Sequence, residues 1–222
     1  MKTWQEEHRK VIKDFLTTLN KETNSFVLKG GTSLMMCYKL DRFSEDIDFD
    51  CEHQKLHGFI QKYTKENDFS FRIAKETPTV HRFLLNYGSE EKKLKIEISY
   101  RNKKLNSNFL TNIKGISVYT IDRICQQKAM AYQGRDKIRD LYDLSFICDK
   151  YFKDLSEDTK GMMRDALSYK GFEHFDYIIS TQDDPLINKD KLADSYLKMY
   201  DKLDLLYTND EVKSIQSSNR SL

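Results

Sequence analysis

The chain has 222 residues and a net charge of +2, with 39% hydrophobic and 32% charged residues. This composition predicts a soluble globular protein, and so small a net charge does not by itself indicate nucleic-acid binding. The length allows one large domain or a catalytic core with a helical extension. No Cys-x-x-Cys pair occurs, which favours free thiols in a reducing cytosol over a zinc site for the four cysteines, Cys37, Cys51, Cys125 and Cys148.

Residues 1–13 are polar and lack the apolar core of a signal peptide, and no apolar run is long enough to span a bilayer. The sequence therefore predicts a cytoplasmic protein without membrane contact. Apolar residues at intervals of three and four predict a first helix over residues 4–20. We expect this helix to pack on the outside of a sheet, with His8 and Arg9 solvated.

The next stretch predicts four elements in order: a strand at 26–28, a glycine turn, a helix at 32–40 and a strand at 46–51. Side chains alternate along a strand, so Asp46 and Asp48 lie on one face. Two such carboxylates suit a shared hard cation, Mg²⁺ or Mn²⁺, and Gly30 and Gly31 at the start of a helix suit a phosphate. Either feature alone is typical of an ordinary turn or a solvated strand. Together, in this order, they predict metal-assisted phosphoryl or nucleotidyl transfer.

This stretch resembles the signature of the nucleotidyltransferase superfamily, which is Gly-Gly-Thr/Ser, a short helix and Asp-x-Asp. Its finer pattern is similar to the AbiEii branch, which holds toxins of type IV toxin–antitoxin and abortive-infection systems, including MenT-type tRNA nucleotidyltransferases. The residues that carry the resemblance are Lys29, Gly30, Gly31, Thr32, Leu34, Arg42, Ser44, Asp46, Asp48 and Phe49. The resemblance implies a nucleotidyltransferase-like α+β fold in which a mixed sheet is flanked by helices and followed by a C-terminal helical bundle.

The resemblance also implies roles for the matched residues. Asp46 and Asp48 are the expected catalytic metal ligands for Mg²⁺ or Mn²⁺, and an NTP is the expected substrate. The expected nucleotide-binding residues are Lys29, Gly30, Gly31, Thr32, Ser33 and Arg42.

Ser44 lies two residues before Asp46, and a phosphate added there would place negative charge beside the carboxylates. We therefore expect Ser44 to be a regulatory site whose modification silences the enzyme.

Beyond this motif the pattern predicts one helix at 54–66 and three strands at 69–74, 80–87 and 92–100. These strands form a half-buried sheet with one polar face. Glu97 stands on that polar face. Nucleotidyltransferases place a third carboxylate on a later strand beside the Asp-x-Asp pair, which makes Glu97 the candidate for a metal-binding or proton-accepting role. A solvated glutamate is the alternative, because an isolated Glu on a polar sheet face is usually solvated; the third residue in the superfamily is often Asp, so the detailed geometry stays open.

Residues 101–114 are polar and predict a loop, and residues 117–120 predict a short extended piece. A helix over 121–132 places Lys128 on or next to its apolar stripe, where a lysine needs a phosphate or carboxylate partner. The next helix opens within 135–144, and three of its aspartates share one face by their spacing: Asp136, Asp140 and Asp143.

AbiEii-type proteins carry a lysine on a helix and then an Arg-Asp-x-x-Asp-Leu element, which this chain matches with Lys128, Arg139, Asp140, Asp143 and Leu144. The resemblance implies that Lys128 contacts a nucleotide phosphate and that Asp143 is an essential active-site partner. Asp140 is next in rank and is an expected nucleotide-binding residue. A solvated charged face or an ordinary Asp–Arg network is the alternative interpretation.

The C-terminal part predicts three further helices, at 155–167, 172–179 and 190–206, and a polar, frayed tail at 208–222. We expect a nucleotidyltransferase core over residues 1–115 and a helical region over 116–222 that completes the active site.

The predicted function is nucleotide transfer from an NTP to an RNA acceptor. By resemblance the acceptor is the 3′ end of tRNA, and a cognate antitoxin is an expected partner. Local support comes from a basic group that suits a phosphate backbone: Arg101, Lys103, Lys104, Lys114, Arg123, Arg135, Lys137 and Arg139. Two alternatives stay open, which are nucleotide transfer to a protein hydroxyl and a non-catalytic nucleotide-binding module. The sequence does not identify the transferred nucleotide.

Overall fold

The computed structural model describes residues 4–89 and 92–206. Within these ranges the chain forms two compact units, divided between Thr120 and Ile121. The first unit holds one mixed β-sheet and three helices. The second unit is helical.

The elements of the first unit follow one another in the order that the sequence pattern predicts, with one addition. The helices are α1 (Trp4–Glu22), α2 (Gly30–Cys37) and α3 (His57–Glu66). The strands are β1 (Val27–Lys29), β2 (Ile47–Asp50), β3 (Ser70–Glu76), β4 (Val80–Asn86), β5 (Leu94–Ser99), β6 (Leu110–Ile113) and β7 (Ile116–Tyr119). The addition is β6, because residues 101–114 were expected to be a loop. That prediction is wrong for 110–113, which pair with β7 as an antiparallel hairpin.

The seven strands lie in the order β3-β4-β5-β2-β1-β7-β6. Strand β2 is central, since it pairs antiparallel with β1 on one side and parallel with β5 on the other. Strand β1 also pairs in parallel with β7. The sheet is therefore mixed, and the strand that carries the aspartate motif has a partner on both edges.

One face of this sheet is apolar and is covered by helices α1 and α3. The core side chains of β2 on this face, Ile47 and Phe49, are fully buried. Phe15 of α1 makes edge contacts with Tyr63 of α3, with ring centroids 5.1 Å apart. The alternation of apolar and polar residues in β2, β4 and β5 explains the arrangement, because every second side chain of these strands points to the other face.

A buried carboxylate at the end of β2 ties this strand to three other parts of the first unit. Asp50 is 1% exposed, and its Oδ1 accepts a hydrogen bond of 2.5 Å from Lys29 Nζ. Its Oδ2 accepts from the Tyr119 hydroxyl at 2.9 Å and from Asn102 Nδ2 at 3.2 Å. Asp50 thus links β1, β2, β7 and the segment that follows β5, and its charge is compensated.

The second unit contains five α-helices within the described residues: α4 (Ile121–Gly134), α5 (Ile138–Tyr151), α6 (Glu157–Lys170), α7 (His174–Thr181) and α8 (Lys189–Lys202). Helix α4 packs against α5 and α6, and α5 packs against α8. Phe175 of α7 stacks on Tyr196 of α8 with ring centroids 4.5 Å apart. The expected C-terminal helical bundle is confirmed. The frayed tail expected at 208–222 lies outside the described residues.

None of the helices in residues 4–89 and 92–206 combines the length and hydropathy that crossing a bilayer requires.

Replacing Asp50 with Ala is expected to lower the free energy of unfolding by about 3–5 kcal/mol, because it leaves the Lys29 ammonium and two polar groups without their buried partner. Urea unfolding followed by circular dichroism measures this loss. Glu66→Ala, an exposed carboxylate on α3, is the control and should change the free energy by less than about 0.5 kcal/mol. Equal stability of the two variants would contradict a structural role for Asp50.

Candidate active site

The pairing of β2 with its two neighbours sets the geometry of the aspartate motif. Asp48 lies opposite Lys29 of β1 and opposite Glu97 of β5. Residues in register on adjacent strands point to the same face, so Lys29, Asp48 and Glu97 form one row on the polar face. Asp46 precedes β2 by one residue and lies close enough to Asp48 to influence its titration. The structure therefore brings together the three carboxylates that the sequence nominated.

Three carboxylates in one place repel one another, and the charges around them reflect this. Burial raises the pKa of Asp48, and the neighbouring Asp46 and Glu97 raise it further. Two cations that the sequence analysis did not nominate lie on the same face. Lys95 Nζ is 2.5 Å from Asp46 Oδ2, and Arg82 Nε donates to Glu97 Oε2 at 2.7 Å. Finding them requires the register of β5 with β2 and with β4, which the sequence pattern does not contain.

The two glycines lie directly against the aspartate motif, in the first turn of α2. Gly30 has a φ of +72°, and a Cβ placed there would lie 3.0 Å from Asp48 Oδ2. A Cβ on Gly31 would lie 2.8 Å from Arg42 Nη2 and 2.8 Å from Ser44 Oγ. Both positions thus need glycine, the first also for its backbone conformation. The N-terminal N–H groups of α2 lie next to Asp48, where a helix start favours an anion.

The hydroxyls expected to cradle a phosphate contact the protein itself. Ser33 is fully buried and donates to the Gly30 carbonyl at 2.7 Å. The Thr32 hydroxyl bonds to the Asp46 carbonyl and lies 3.0 Å from Ser44 Oγ. These contacts fix the segment that carries Asp46 against the first turn of α2.

Arg42, the remaining expected nucleotide contact, is 5% exposed, and its Nη1 donates to the Phe43 carbonyl at 3.0 Å. Ser44 is 8% exposed. Both side chains therefore sit beneath the glycine turn in this conformation.

His8 of α1 was expected to be solvated, and that prediction is wrong because it is 1% exposed. His8 Nε2 lies 2.7 Å from the Glu45 carbonyl and must donate to it. The other ring nitrogen, Nδ1, therefore accepts from the Tyr87 hydroxyl, also at 2.7 Å. The imidazole holds the main chain one residue before Asp46. Its spacing signals burial, since His8 lies four residues after Trp4 and three before Val11, but its two partners lie 37 and 79 residues away and are not evident from the sequence.

The second unit contains the other predicted cluster, which is built on α4 and α5. Lys128 is 9% exposed and its Nζ lies 2.7 Å from Asp143 Oδ2 and 3.0 Å from Asp140 Oδ1. Asp140 also accepts from Arg135 Nε at 2.7 Å. Burial alone would raise the pKa of Asp140, but Lys128 and Arg135 together lower it below its ordinary value. The lysine thus has the carboxylate partners that its buried position demands.

The other charged residues of this motif lie apart from the cluster. Arg139 pairs with Asp184 through a 2.5 Å contact of Nε with Oδ2. Asp136 precedes α5 and pairs with Lys170 at 2.7 Å, so it does not share a helix face with Asp140 and Asp143.

A divalent ion suits the donor chemistry of the first unit, although no ready-made cage is present. Within residues 4–89 and 92–206, no group of three or more Asp, Glu, His or Cys side chains is arranged to hold a metal ion. Asp46 and Asp48 nevertheless supply adjacent hard oxygen donors. Burial, together with the charges of Asp46 and Glu97, raises the pKa of Asp48, and a bound cation would favour its ionised form.

Comparison with known proteins identifies the family. The family model described as nucleotidyl transferase AbiEii toxin, type IV TA system, matches residues 14–215. The chain belongs to this family. It is therefore a nucleotidyltransferase toxin of the type IV toxin–antitoxin class, as the Lys29–Phe49 motif predicts.

Solved structures agree with this assignment. The crystal structure of JHP933 from Helicobacter pylori is 28% identical and covers 99% of this chain and 98% of its own, with a TM-score of 0.79. A candidate nucleotidyltransferase from H. pylori is 27% identical, covers 94% of this chain and 100% of its own, and has a TM-score of 0.74. A search of curated proteins gave no match. The expected nucleotidyltransferase-like α+β fold is confirmed.

Gly31→Ala is expected to reduce nucleotide transfer by about tenfold or more and to cost about 1–3 kcal/mol of stability, because its Cβ displaces Arg42 and Ser44 from beneath the turn. Gly58→Ala is the matched control, since a Cβ at Gly58 of α3 meets no atom within 4 Å. Steady-state transfer assays and thermal melts compare the two. Equal activity would mean that the close packing behind Gly31 is not needed.

His8 also predicts a pH dependence of stability. Burial lowers the pKa of His8 in the folded state, against smaller opposing effects of Glu45 and Asp46 and with a contribution from Lys92. The unfolded chain therefore binds a proton at this site below about pH 6.5 while the folded chain does not, so stability falls as the pH drops. Urea unfolding across this range should show a smaller fall for His8→Gln than for the parent chain. Parallel curves would contradict the neutral, buried imidazole.

Proposed function

We propose that the protein transfers a nucleotide from an NTP to an RNA acceptor with the help of Mg²⁺ or Mn²⁺, and that the acceptor is the 3′ end of tRNA. The observation that carries the proposal is the juxtaposition of Asp48, Glu97 and Asp46 beside the Gly30 turn. A Cβ at Gly30 would lie 3.0 Å from Asp48 Oδ2, so the helix start and the carboxylate occupy one place. This geometry supports binding of a phosphate and of a carboxylate-held metal ion next to each other.

Each residue of the first unit has a proposed role that follows from its position. Asp46 and Asp48 would hold the divalent ion, which supplies charge neutralisation at the phosphates when bound. The N–H groups at the start of α2 would bind the phosphates. Lys29 bonds to Asp50 and lies next to Asp48, where its ammonium limits the local negative charge. Positioning and fixed electrostatics account for this kind of catalysis.

Glu97 has two candidate roles, and its partner favours the second. It lies beside Asp48, as a metal ligand would. Its Oε2, however, accepts two close contacts from Arg82, at 2.7 Å from Nε and 2.6 Å from Nη2. A carboxylate that is held by a guanidinium in this way has a fixed orientation. We therefore propose that Glu97 accepts the proton of the attacking RNA hydroxyl, with metal binding as its alternative role.

The roles of the Lys128 cluster stay predictions that rest on family resemblance. Lys128 is proposed to contact a nucleotide phosphate, and Asp140 and Asp143 are proposed to hold its ammonium group. The two ion pairs of 3.0 and 2.7 Å support the second part. Replacing Asp143 with Asn should therefore lower the rate of nucleotide transfer about as much as replacing Lys128 does.

Ser44 stays a proposed regulatory site. Its hydroxyl lies 3.0 Å from Thr32 Oγ1, and Thr32 holds the Asp46 carbonyl. A negative group at this position would part the glycine turn from the aspartate motif and repel Asp46. Ser44→Asp is thus expected to abolish transfer, whereas Ser44→Ala, which removes the same hydrogen bond without adding charge, should retain part of it. Full activity of Ser44→Asp would contradict the proposal.

The central experiment incubates the purified protein with each labelled NTP, total tRNA and Mg²⁺. One NTP is expected to label tRNA, and a chelator should abolish the labelling. Asp48→Asn should reduce the rate by about a thousandfold, which corresponds to about 4 kcal/mol of transition-state stabilisation. Asp68→Asn makes the same chemical change at an exposed turn and should leave the rate unchanged.

The alternatives give different results in this experiment. Label on protein rather than on tRNA would support nucleotide transfer to a protein hydroxyl. An absence of label with every NTP, together with a cellular effect that survives Asp48→Asn, would support a non-catalytic nucleotide-binding module. A cognate antitoxin is the expected protein partner of a type IV toxin, and co-expression with the neighbouring gene product tests that partnership.

A further inference from the structure

A row of charged side chains continues from the candidate active site across the polar face of the sheet. Asp48 lies opposite Glu97, Glu97 opposite Arg82, and Arg82 opposite Lys75 of the edge strand β3. A parallel row, two residues away, places Lys95 opposite Leu84 and Leu84 opposite Arg72. We name the four cations of these rows the basic strip: Arg72, Lys75, Arg82 and Lys95.

An irregularity in β3 brings the outermost lysine onto this face. Ile73 is in register with Phe83, but Lys75, not Ala74, is in register with Arg82. Strict alternation from Ile73 would have placed Lys75 opposite His81, which belongs to the apolar face. The extra residue, Ala74, shifts the register and aligns Lys75 with Arg82. The basic strip thus reaches the edge of the sheet.

The two ends of the basic strip have different electrostatic surroundings. The inner end is neutralised, because Arg82 pairs with Glu97 and Lys95 pairs with Asp46. The outer end is exposed, and among residues 4–89 and 92–206 no carboxylate pairs with Arg72 or Lys75. Positive charge therefore increases outward from the carboxylates, over three strand spacings or about 14 Å.

We propose that the basic strip binds the phosphate backbone of the acceptor RNA and leads its reacting end to the carboxylates. This proposal rests on the proposed function and adds the surface that receives the acceptor. Exposed Arg and Lys side chains on one face match the regular charge of an RNA strand, and such contacts position a nucleic acid without reading its sequence. The acceptor would lie along the sheet because the strip is continuous with the site.

The basic group at 101–139 is a weaker candidate for this role. Its eight members lie after β5, in the turn between β6 and β7, and in or between α4 and α5, so none of them belongs to the row of strand residues that continues from Asp48. Protection of an edge strand against pairing with another chain is a further explanation for Arg72 and Lys75. It does not account for Arg82 and Lys95, which belong to interior strands.

The test compares Arg72→Ala/Lys75→Ala with Lys13→Ala/Lys65→Ala. Both double variants remove two exposed positive charges, the second pair from α1 and α3. Fluorescence anisotropy with labelled total tRNA measures binding at several salt concentrations. The strip variant is expected to bind about tenfold or more weakly at about 0.1 M salt, with a log–log salt slope smaller by about 1.4, which is two contacts at about 0.7 each. The control variant should bind as the parent chain does.

Further measurements separate the possible failures. Binding of NTP by isothermal titration should be the same in all three proteins, and gel filtration should show the same oligomeric state. Equal tRNA binding by both variants, or no tRNA binding by the parent chain, would overturn the role of the strip. In either case, nucleotide transfer by the parent chain would still support the proposed function. Loss of tRNA binding only in the strip variant, without any transfer by the parent chain, would uphold the strip and overturn the proposed function. Self-association of the strip variant with unchanged tRNA affinity would indicate edge protection instead.

Discussion

The register of β2 between β1 and β5 is the constraint on which the first unit depends. A shift of one residue would send Asp48 into the apolar face and Phe49 into the polar one. The fully buried Ile47 and Phe49 oppose such a shift, since they would lose their places in the core. Hydrophobic packing on one side of the strand thus fixes the position of the carboxylates on the other. The site gains its geometry from the stability of the core beneath it.

Charge compensation is the second organising principle, and it operates with partners from neighbouring strands. Lys29 pairs with Asp50, Lys95 with Asp46 and Arg82 with Glu97. Asp48, which has the raised pKa, lies between these pairs. The protein can therefore keep several carboxylates close together in the absence of a metal ion. A cation bound at Asp46 and Asp48 would replace Lys95 as the partner of Asp46 and would supply a positive partner to Asp48.

Much of this arrangement can be read from the sequence, because it follows local rules. The order of the elements from α1 to β5, the common face of Asp46 and Asp48, and the need of Lys128 for an anionic partner all follow from periodicity and burial. The hairpin strand β6 was missed because its four residues, Leu110–Ile113, carry too little apolar alternation to distinguish them from a polar loop. The hydroxyls of Thr32 and Ser33 bond to backbone carbonyls, and these contacts depend on how the turn folds back, which the sequence pattern does not show.

The interactions that sequence reasoning could not reach all depend on residues distant in the chain. His8 meets Glu45 and Tyr87 across 37 and 79 residues, and its place in the amphipathic pattern of α1 gives no sign of these partners. Arg82 and Lys95 similarly look like ordinary polar-face residues until strand pairing is known. These contacts depend on tertiary packing, which is determined by many residues of the chain together and not by a local sequence pattern.

The irregularity at Ala74 gives the edge strand an additional property. A one-residue insertion or deletion there would move the charged side chains that follow Ala74 in β3 from one face of the sheet to the other. No interior strand would be disturbed. A change in length, which is usually confined to loops, could therefore redistribute surface charge near the carboxylates at this point of the strand while the core stays unaltered.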